Sequence, residues 1–340
     1  MGGDHGCGVV INGVQLALAA DDRIKSVLLV GQQDQIQTAL TAAGLRDSRV
    51  EIVHASEVLT MEDKPVEGIR KKKDSSMVRA IDLVRDGKAD AIISRGNTGA
   101  LVAGSMKLRR LDGVERPVLA ARAPSRTIDF VLLDAGANPV CEPTHLAQFA
   151  VMGHVYAREV LGCANPRIGI LSNGSEESKG NELTRESVRL CSQLGLNCVG
   201  YVEGFDIFED AVDVVVADGF TGNLVLKTSE GLGYAMMHLL KRELTANPLR
   251  MFGAWLCRGA FRALKSRMDP EVYGGAVLLG LNGNVIKAHG SARERAIMSA
   301  MRVAAGQISH DVNETIRQEI ARANERLAPA ASPAPIPISP

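Results

Sequence analysis

The sequence predicts an α/β protein with a doubly wound, mostly parallel sheet and one helical excursion. Short apolar runs rich in Val and Ile alternate along the chain with segments of helical period. This alternation is typical of a parallel sheet that helices cover on both faces. A stretch at about 234–268 interrupts the alternation and has helical periodicity throughout.

The predicted strands follow one another along the chain, and most end in Gly, Asp or Asn. They are SVLLVG near Val27, RVEIVHA near Ile52, ADAIIS (89–94), DFVLLDAGA (129–137), RIGILSNG (167–174), NCVGYVE (197–203) and VDVVVADG (212–219). The segments SSMVRAIDLVRDG (75–87) and NELTRESVRLCSQLG (181–195) have helical period, and Gly195 lies where a helix C-cap is expected.

Length, charge and cysteine content exclude several classes of protein. The 340 residues include 39 basic and 39 acidic side chains, so no net charge attracts nucleic acid. The six cysteines show no C-x-x-C pair and no histidines at zinc spacing, which predicts neither a metal site nor a disulfide framework. No apolar run approaches the roughly 20 residues of a membrane-spanning helix, and no signal segment is present, so we expect a cytoplasmic protein.

The composition predicts one domain and a tail. We expect residues 1–327 to form a single α/β domain that includes the excursion at about 234–268. Residues 328–340 are rich in Pro and Ala and have few groups to bury, so we expect them to be disordered.

Two glycine-rich turns repeat one plan. ADAIISRGNTGALV (89–102) aligns without a gap with VDVVVADGFTGNLV (212–225), and the Asp, both glycines, the Thr and the closing Leu-Val coincide. A turn of Gly, Thr and Asn between a strand and a helix presents backbone N–H groups to anions. We therefore predict that the two turns face one site and hold phosphate from two sides; the alternative is that they only connect strand to helix.

Familiar nucleotide and hydrolase motifs are absent. The chain has no P-loop and no G-x-S-x-G elbow. GDHGCGVV lacks the third glycine of a dinucleotide fingerprint, so no motif supports a dinucleotide.

Seven stretches, taken in order, resemble one family. They are MGGDHG, SRGNTGAL, LLDAGAN, AVMGHVYAREV, NPRIGILSNGSEESKGNEL, VVVADGFTGNLVLKTSEG and YGGAVLLGLNGNVIKAHGS. The series spans nearly the whole chain and is similar to the bacterial phosphate acyltransferase of phospholipid synthesis. The resemblance implies transfer of a fatty acyl group from acyl carrier protein to inorganic phosphate, and a membrane glycerol-3-phosphate acyltransferase that uses the resulting acyl phosphate. It also implies a homodimer, a fold similar to isocitrate and isopropylmalate dehydrogenases, and no cofactor.

The chain departs from the family pattern at three places. It starts inside the MGGDHG motif, so we expect the sheet to lack a first strand. Arg95 stands where alanine is usual, and would either strengthen anion binding or face solvent. Cys7-Gly8 replaces a common Gly-Pro, and we do not predict Cys7 to be a nucleophile.

The expected reaction needs no nucleophile from the protein. Phosphate attacks, and the leaving thiol has a pKa of about 8.5, so positioning and charge suffice. The candidate catalytic residues are Lys179, Asp218, Asn223, Lys227 and His289, and the candidate substrate-binding residues are Asp4, His5, Asn97, Thr98, Gly99, Thr221 and Gly222. The lysines would supply charge, the histidines would handle protons, and the aspartates would orient a histidine, a lysine or the turn amides. The alternatives are a capping role for each histidine and for Asp218, and a solvated surface position for each lysine.

The excursion has the pattern of a basic amphipathic helix. On a helical wheel Arg250, Arg258, Arg262 and Lys265 lie on one side, apolar residues lie opposite, and Trp255 lies near the border. Such a helix suits the inner face of an anionic membrane or an acidic carrier protein. The alternative is a helix that packs on its dimer mate with the basic face solvated.

Two other functions stay open. A phosphotransacetylase that acts on acyl-CoA would accept CoA in place of the carrier protein. A non-catalytic, phosphate-sensing scaffold on the membrane would bind phosphate without turnover.

Overall fold

A computed structural model describes residues 2, 3, 5–176 and 178–328. Asp4 and nearly all of the predicted tail lie outside the described residues. The strands are β1 Val27–Gly31, β2 Val50–His54, β3 Ala91–Ser94, β4 Val118–Pro124, β5 Asp129–Leu133, β6 Ile168–Leu171, β7 Cys198–Val202, β8 Val214–Val216, β9 Ala276–Leu279 and β10 Asn284–Lys287. The helices are α1 Cys7–Ala20, α2 Gln33–Ala43, α3 Pro65–Lys71, α4 Ser76–Arg85, α5 Thr98–Ser105, α6 Pro143–Leu161, α7 Glu182–Gln193, α8 Gly219–Leu244, α9 Pro248–Leu256, α10 Arg258–Arg267, α11 Glu294–Ser309 and α12 Val312–Leu327.

Eight strands form one sheet in the order β3-β10-β9-β4-β5-β8-β6-β7, and β1 pairs with β2 separately. Of the eight strand pairings among the described residues, five are parallel and three are antiparallel. Helices flank the sheet, which confirms the predicted mostly parallel α/β class. The seven predicted strands are present, but β4, β9 and β10 were not predicted, and β9 and β4 account for the antiparallel pairings.

Among the six strands from β3 to β8 the pattern of parallel and antiparallel pairing is symmetric about a line between β9 and β4, while β6 and β7 have no counterparts in this sheet. On its two sides β4 matches β9, β5 matches β10, and β8 matches β3. The three antiparallel pairings reverse the direction, so matched strands run in opposite senses. These six strands are therefore related in position and direction as by a pseudo-two-fold axis normal to the sheet. The repeated stretches 89–102 and 212–225 fall on matched strands, so the repeat follows the symmetry of the fold.

The core forms around α6, which is buried on nearly every side. Leu146, Phe149 and Met152 of this helix have no exposed surface and pack with Val131 and Val214 of the sheet. A helix that is apolar around its circumference is typical of a protein interior. This packing holds the central strands, and hence their turns, in fixed positions.

The predicted excursion consists of the end of α8 followed by α9 and α10. Residues 245–247 separate α8 from α9, and Cys257 separates α9 from α10. The single wheel drawn over this region is therefore wrong, since Arg250 lies on a different helix from Arg258, Arg262 and Lys265. No side chain of α9 or α10 is buried within the described chain. Among the described residues, no helix is both long and apolar enough to cross a membrane.

Candidate functional site

The two repeated turns follow strands that are far apart in the sheet, and they lie at opposite ends of the strands. Five inter-strand steps separate β3 from β8, which is about 24 Å at about 4.8 Å per step. Strands β3 and β8 also run in opposite directions, so their carboxyl ends lie at opposite ends of the strands in the sheet. The prediction that both turns hold one phosphate is therefore wrong.

The turn after β8 is closed by its own carboxylate. Asp218 is the N-cap of α8, and it accepts hydrogen bonds from the backbone N–H groups of Phe220 (3.0 Å) and Thr221 (2.9 Å) and from the Thr221 hydroxyl (2.7 Å). The Gly219 N–H donates to the Asn138 carbonyl oxygen at 2.8 Å, and the Gly222 N–H donates to the Asp218 carbonyl oxygen. These donors are all used inside the protein. The structure shows the capping role considered for Asp218, while the phosphate contacts of Thr221 and Gly222 stay predictions.

The closed turn packs on Asp134, a buried carboxylate that sequence reasoning missed. Asp134 accepts hydrogen bonds from the N–H groups of Leu119, Gly136, Ala137 and Asn138 and from the Asn138 side-chain amide. Burial raises the pKa of Asp134, and these donors oppose that shift. The only signal for this residue was the glycine-rich DAGAN turn that follows β5.

The other candidate residues near α8 lie at the same end of the sheet, beyond the carboxyl end of β8. Asn223 packs over Gly136, since a Cβ atom added to that glycine would lie 3.3 Å from the Asn223 Cβ. Lys227 is half-exposed and pairs with Glu230 at 2.9 Å. Lys179 lies in the loop after β6, the strand next to β8. We call Lys179, Asp218, Thr221, Gly222, Asn223 and Lys227 the α8 cluster.

The turn after β3 is open. The Asn97 side-chain oxygen caps α5 by accepting the Ala100 N–H at 3.0 Å. The N–H groups of Thr98 and Gly99 have no hydrogen-bond acceptor among the described residues. A helix N-terminus with unused N–H groups attracts an anion, because the helix dipole is positive there.

Asn97 and Gly99 build this open turn. The Asn97 amide donates to the carbonyl oxygens of Met61 and Asp63, both at 3.2 Å, and the phosphate contact of Asn97 stays a prediction. A Cβ atom on Gly99 would lie 2.7 Å from the Pro65 Cγ, so only glycine fits against the start of α3. The remaining donors toward a ligand are the two N–H groups and the Thr98 hydroxyl.

His289 lies in the turn beside the open one. Strands β10 and β3 are paired with Lys287 opposite Ser94, so residues 288–291 adjoin residues 95–97. The His289 Nδ1 lies 2.7 Å from the Ser291 hydroxyl and accepts the Ser291 N–H at 3.3 Å. A neutral imidazole that accepts at Nδ1 carries its proton on Nε2. Sequence reasoning missed Ser291, which lies two positions after His289 in the same motif.

Arg95 joins this turn to the segment that contains His5. The Arg95 Nη2 donates to the carbonyl oxygens of His5 (3.0 Å) and Gly290 (3.2 Å), and the residue is 7% exposed. The alternative that Arg95 faces solvent is therefore wrong. We call His5, Arg95, Asn97, Thr98, Gly99, His289 and Ser291 the α5 cluster.

Comparison with known proteins identifies the family. The family model described as fatty acid synthesis protein matches residues 1–315. The phosphate acyltransferase of Syntrophotalea carbinolica is 45% identical over 330 residues, which cover 96% of this chain and 94% of that protein. The chain belongs to the phosphate acyltransferase family. The phosphate acyltransferase of Geobacillus thermodenitrificans is similar to the same degree, with 45% identity over 326 residues, 95% of this chain and 97% of that protein. Membership makes the chain an acyltransferase.

Solved structures of two phosphotransacetylases share the fold. The enzyme from Streptococcus pyogenes has a TM-score of 0.60 and 17% identity, over 88% of this chain and 91% of that one. The EutD phosphotransacetylase from Staphylococcus aureus has a TM-score of 0.55 and 16% identity, over 87% of this chain and 92% of that one. At this identity the likeness concerns the α/β fold alone.

Proposed function

We propose that the protein transfers a fatty acyl group from acyl carrier protein to inorganic phosphate, and that the α5 cluster binds the phosphate. Family membership supports acyl transfer to phosphate; the carrier-protein donor and the role in phospholipid synthesis are the further part of the proposal. The open N-terminus of α5 is the observation that carries the assignment of the site. The α8 turn has the same residue pattern, but its donors are already used by Asp218.

The α5 cluster matches the needs of the reaction. A phosphate at the N-terminus of α5 accepts hydrogen bonds from the N–H groups of Thr98 and Gly99 and from the Thr98 hydroxyl. One phosphate oxygen attacks the thioester carbonyl carbon, a C–O bond forms, the C–S bond breaks, and the carrier thiol leaves as the thiolate. Because that thiolate is a good leaving group, positioning and charge stabilisation contribute most of the rate enhancement. In this scheme a protonated ring nitrogen of His289 donates a hydrogen bond to the developing oxyanion.

The α8 cluster has no part in binding this phosphate. It lies about 24 Å away across five strand steps, too far for direct contact. Catalytic roles for Lys179, Asn223 and Lys227 stay predictions, and in our proposal those residues contact no reacting atom of the phosphate held at α5.

We propose two contacts for the excursion. Large apolar side chains such as Leu249 (81% exposed), Phe252 and Leu256 are left in water within one chain, so a second copy that covers them forms the homodimer. Trp255 stacks on Phe252 at 6.0 Å, and Arg258 lies 5.1 Å from the Trp255 ring centroid. An amphipathic aromatic side chain beside cations suits the surface of an anionic membrane, which would collect the acyl phosphate.

The test is phosphate-dependent release of free carrier protein from palmitoyl carrier protein, with the acyl phosphate trapped by hydroxylamine. Palmitoyl-CoA in the same assay separates the proposal from a phosphotransacetylase. Turnover with the carrier protein and little with CoA supports the proposal; the reverse preference favours the phosphotransacetylase, and phosphate binding without turnover on either donor favours the scaffold.

The pseudo-symmetry supplies a matched pair of variants for the site. Thr98→Val removes a hydroxyl from the open turn and Thr221→Val removes the equivalent hydroxyl from the closed one. We expect Thr98→Val to raise the KM for phosphate about tenfold, as the loss of one hydrogen bond to a charged ligand does. Thr221→Val should leave that KM unchanged. An equal effect of both variants would refute the assignment of the phosphate to α5.

A further inference from the structure

Arg95 is a buried cation at the junction of three chain segments. It belongs to the β3–α5 turn, and its guanidinium donates to the His5 carbonyl oxygen before α1 and to the Gly290 carbonyl oxygen after β10. The guanidinium also lies flat against Gly3, because a Cβ atom added there would be 2.7 to 2.9 Å from three guanidinium atoms. One side chain therefore fixes the N-terminal segment and the His289 turn relative to the start of α5.

The pseudo-symmetry gives Arg95 a counterpart of opposite charge. In the alignment of 89–102 with 212–225, Arg95 coincides with Asp218. In the β8 copy this position supplies the carboxylate that closes the helix N-terminus. In the β3 copy the same position supplies a cation, and α5 begins at Thr98, which is two positions later than α8 begins in the same alignment.

The charge reversal has a direct consequence for the helix N-terminus. An aspartate satisfies N–H groups of the first turn and cancels the positive end of the dipole. An arginine side chain has no hydrogen-bond acceptor, so it cannot satisfy these N–H groups. The Arg95 guanidinium donates to the carbonyl oxygens of His5 and Gly290, and the Thr98 and Gly99 N–H groups have no acceptor among the described residues.

We propose that Arg95 is a positioning residue for acyl transfer. It keeps the α5 turn as the open, anion-accepting copy and holds the segments of His5 and His289 beside it. It acts through these segments and contacts no reacting atom. The kinetic test of this inference rests on the proposed function. A second test, by hydrogen exchange and melting temperature, does not depend on the proposed function.

The kinetic test compares Arg95→Ala and Arg95→Lys with a control, Arg322→Ala, which removes an exposed arginine on α12. We expect Arg95→Ala to raise the KM for phosphate about 10- to 100-fold, because the charge-assisted hydrogen bonds that position the His5 and Gly290 segments beside α5 are lost. Arg95→Lys should be intermediate, since an ammonium group cannot reproduce the planar guanidinium between two carbonyl oxygens. Added guanidinium ion should restore part of the activity of Arg95→Ala, a rescue that a general loss of folding would not permit. The control should match the wild-type protein.

The second test is independent of turnover. Backbone hydrogen exchange at residues 2–12 should be faster in Arg95→Ala, and phosphate should raise the melting temperature less than in the wild-type protein. Should Arg95→Ala fail to fold, Arg95→Lys provides both measurements. A wild-type protein that is inactive on palmitoyl carrier protein would refute the proposed function, while the exchange and melting data would still decide the role of Arg95. An active wild-type protein whose Arg95 variants keep its KM and its exchange rates would overturn the inference and leave the proposed function intact.

Discussion

Gly222 in the first turn of α8 should tolerate no side chain. A Cβ atom there would lie 2.0 Å from the Asp134 carbonyl oxygen, whereas carbon and oxygen in contact are normally about 3.4 Å apart. Asp134 cannot retreat by more than an ångström without breaking bonds, because its N–H donates to Ala217 and its carboxylate accepts five donors. Overpacking costs about 1–3 kcal/mol, and loss of one hydrogen bond to a buried carboxylate costs about 1.5–3 kcal/mol. We therefore expect Gly222→Ala to lower the free energy of unfolding by about 2.5–6 kcal/mol.

The same helix offers a matched control. A Cβ atom on Gly231 meets nothing within 4 Å, and this glycine is exposed in the middle of α8. Gly231→Ala should therefore raise the free energy of unfolding by about 0.5–1 kcal/mol, since alanine favours helix. Urea unfolding of the two variants beside the wild-type protein measures both effects. A Gly222→Ala protein within 1 kcal/mol of the wild type would refute the close packing of α8 on the Asp134 turn.

Three further predictions concern other parts of the molecule. Asp218→Ala should cost about 1–2 kcal/mol of stability by urea unfolding, as the loss of a helix N-cap does, and an unchanged stability would argue against the closed turn. Burial lowers the pKa of His154, so the unfolded chain binds more protons at this residue; stability should fall as the pH drops through about 6.5, and the melting temperature of His154→Gln should depend less steeply on pH between 7 and 5 than that of the wild type. Trp255→Ala should weaken sedimentation with vesicles of anionic lipid, and equal binding to neutral vesicles would contradict the proposed role of the cations.

The local sequence pattern predicted the strands that are continuous apolar runs. It did not predict the strands that are identified by their pairing with strands distant in the sequence. The runs around Val27, Ile52 and Val214 are all strands in the structure. Strand β4 has the sequence VLAARAP, in which only the first two residues are large and apolar and Arg and Pro interrupt the run. Strands β9 and β10 are four residues each and lie among glycines, so their pairing with β4 and β3, distant in the sequence, identifies them as strands.

Residue types were easier to predict than the grouping of residues into a site. The repeat between 89–102 and 212–225 correctly marked two equivalent strand-to-helix turns. Their separation depends on strand order and direction, which no local motif encodes. Asp134 was missed for a related reason, since its five donors come partly from Leu119 on another strand and the DAGAN motif shows only a glycine turn. From the sequence alone, Asp218 could either cap the turn that follows or orient a histidine, a lysine or the turn amides, and the sequence did not decide between these roles.

The two copies of the turn show how one of two repeated turns can be assigned to binding. Both copies have the glycines and the threonine, so both have a backbone that could approach an anion. In the α8 copy the Asp218 carboxylate of the chain itself occupies the helix N-terminus, and this cap contributes to stability. In the α5 copy the Asn97 side chain caps the Ala100 N–H, and the N–H groups of Thr98 and Gly99 have no acceptor among the described residues, so a ligand can supply one. Open N–H groups at one of two equivalent turns are a physical reason to assign the ligand there, and the lack of a carboxylate at position 95, where the other copy has Asp218, is the difference in sequence that accounts for them.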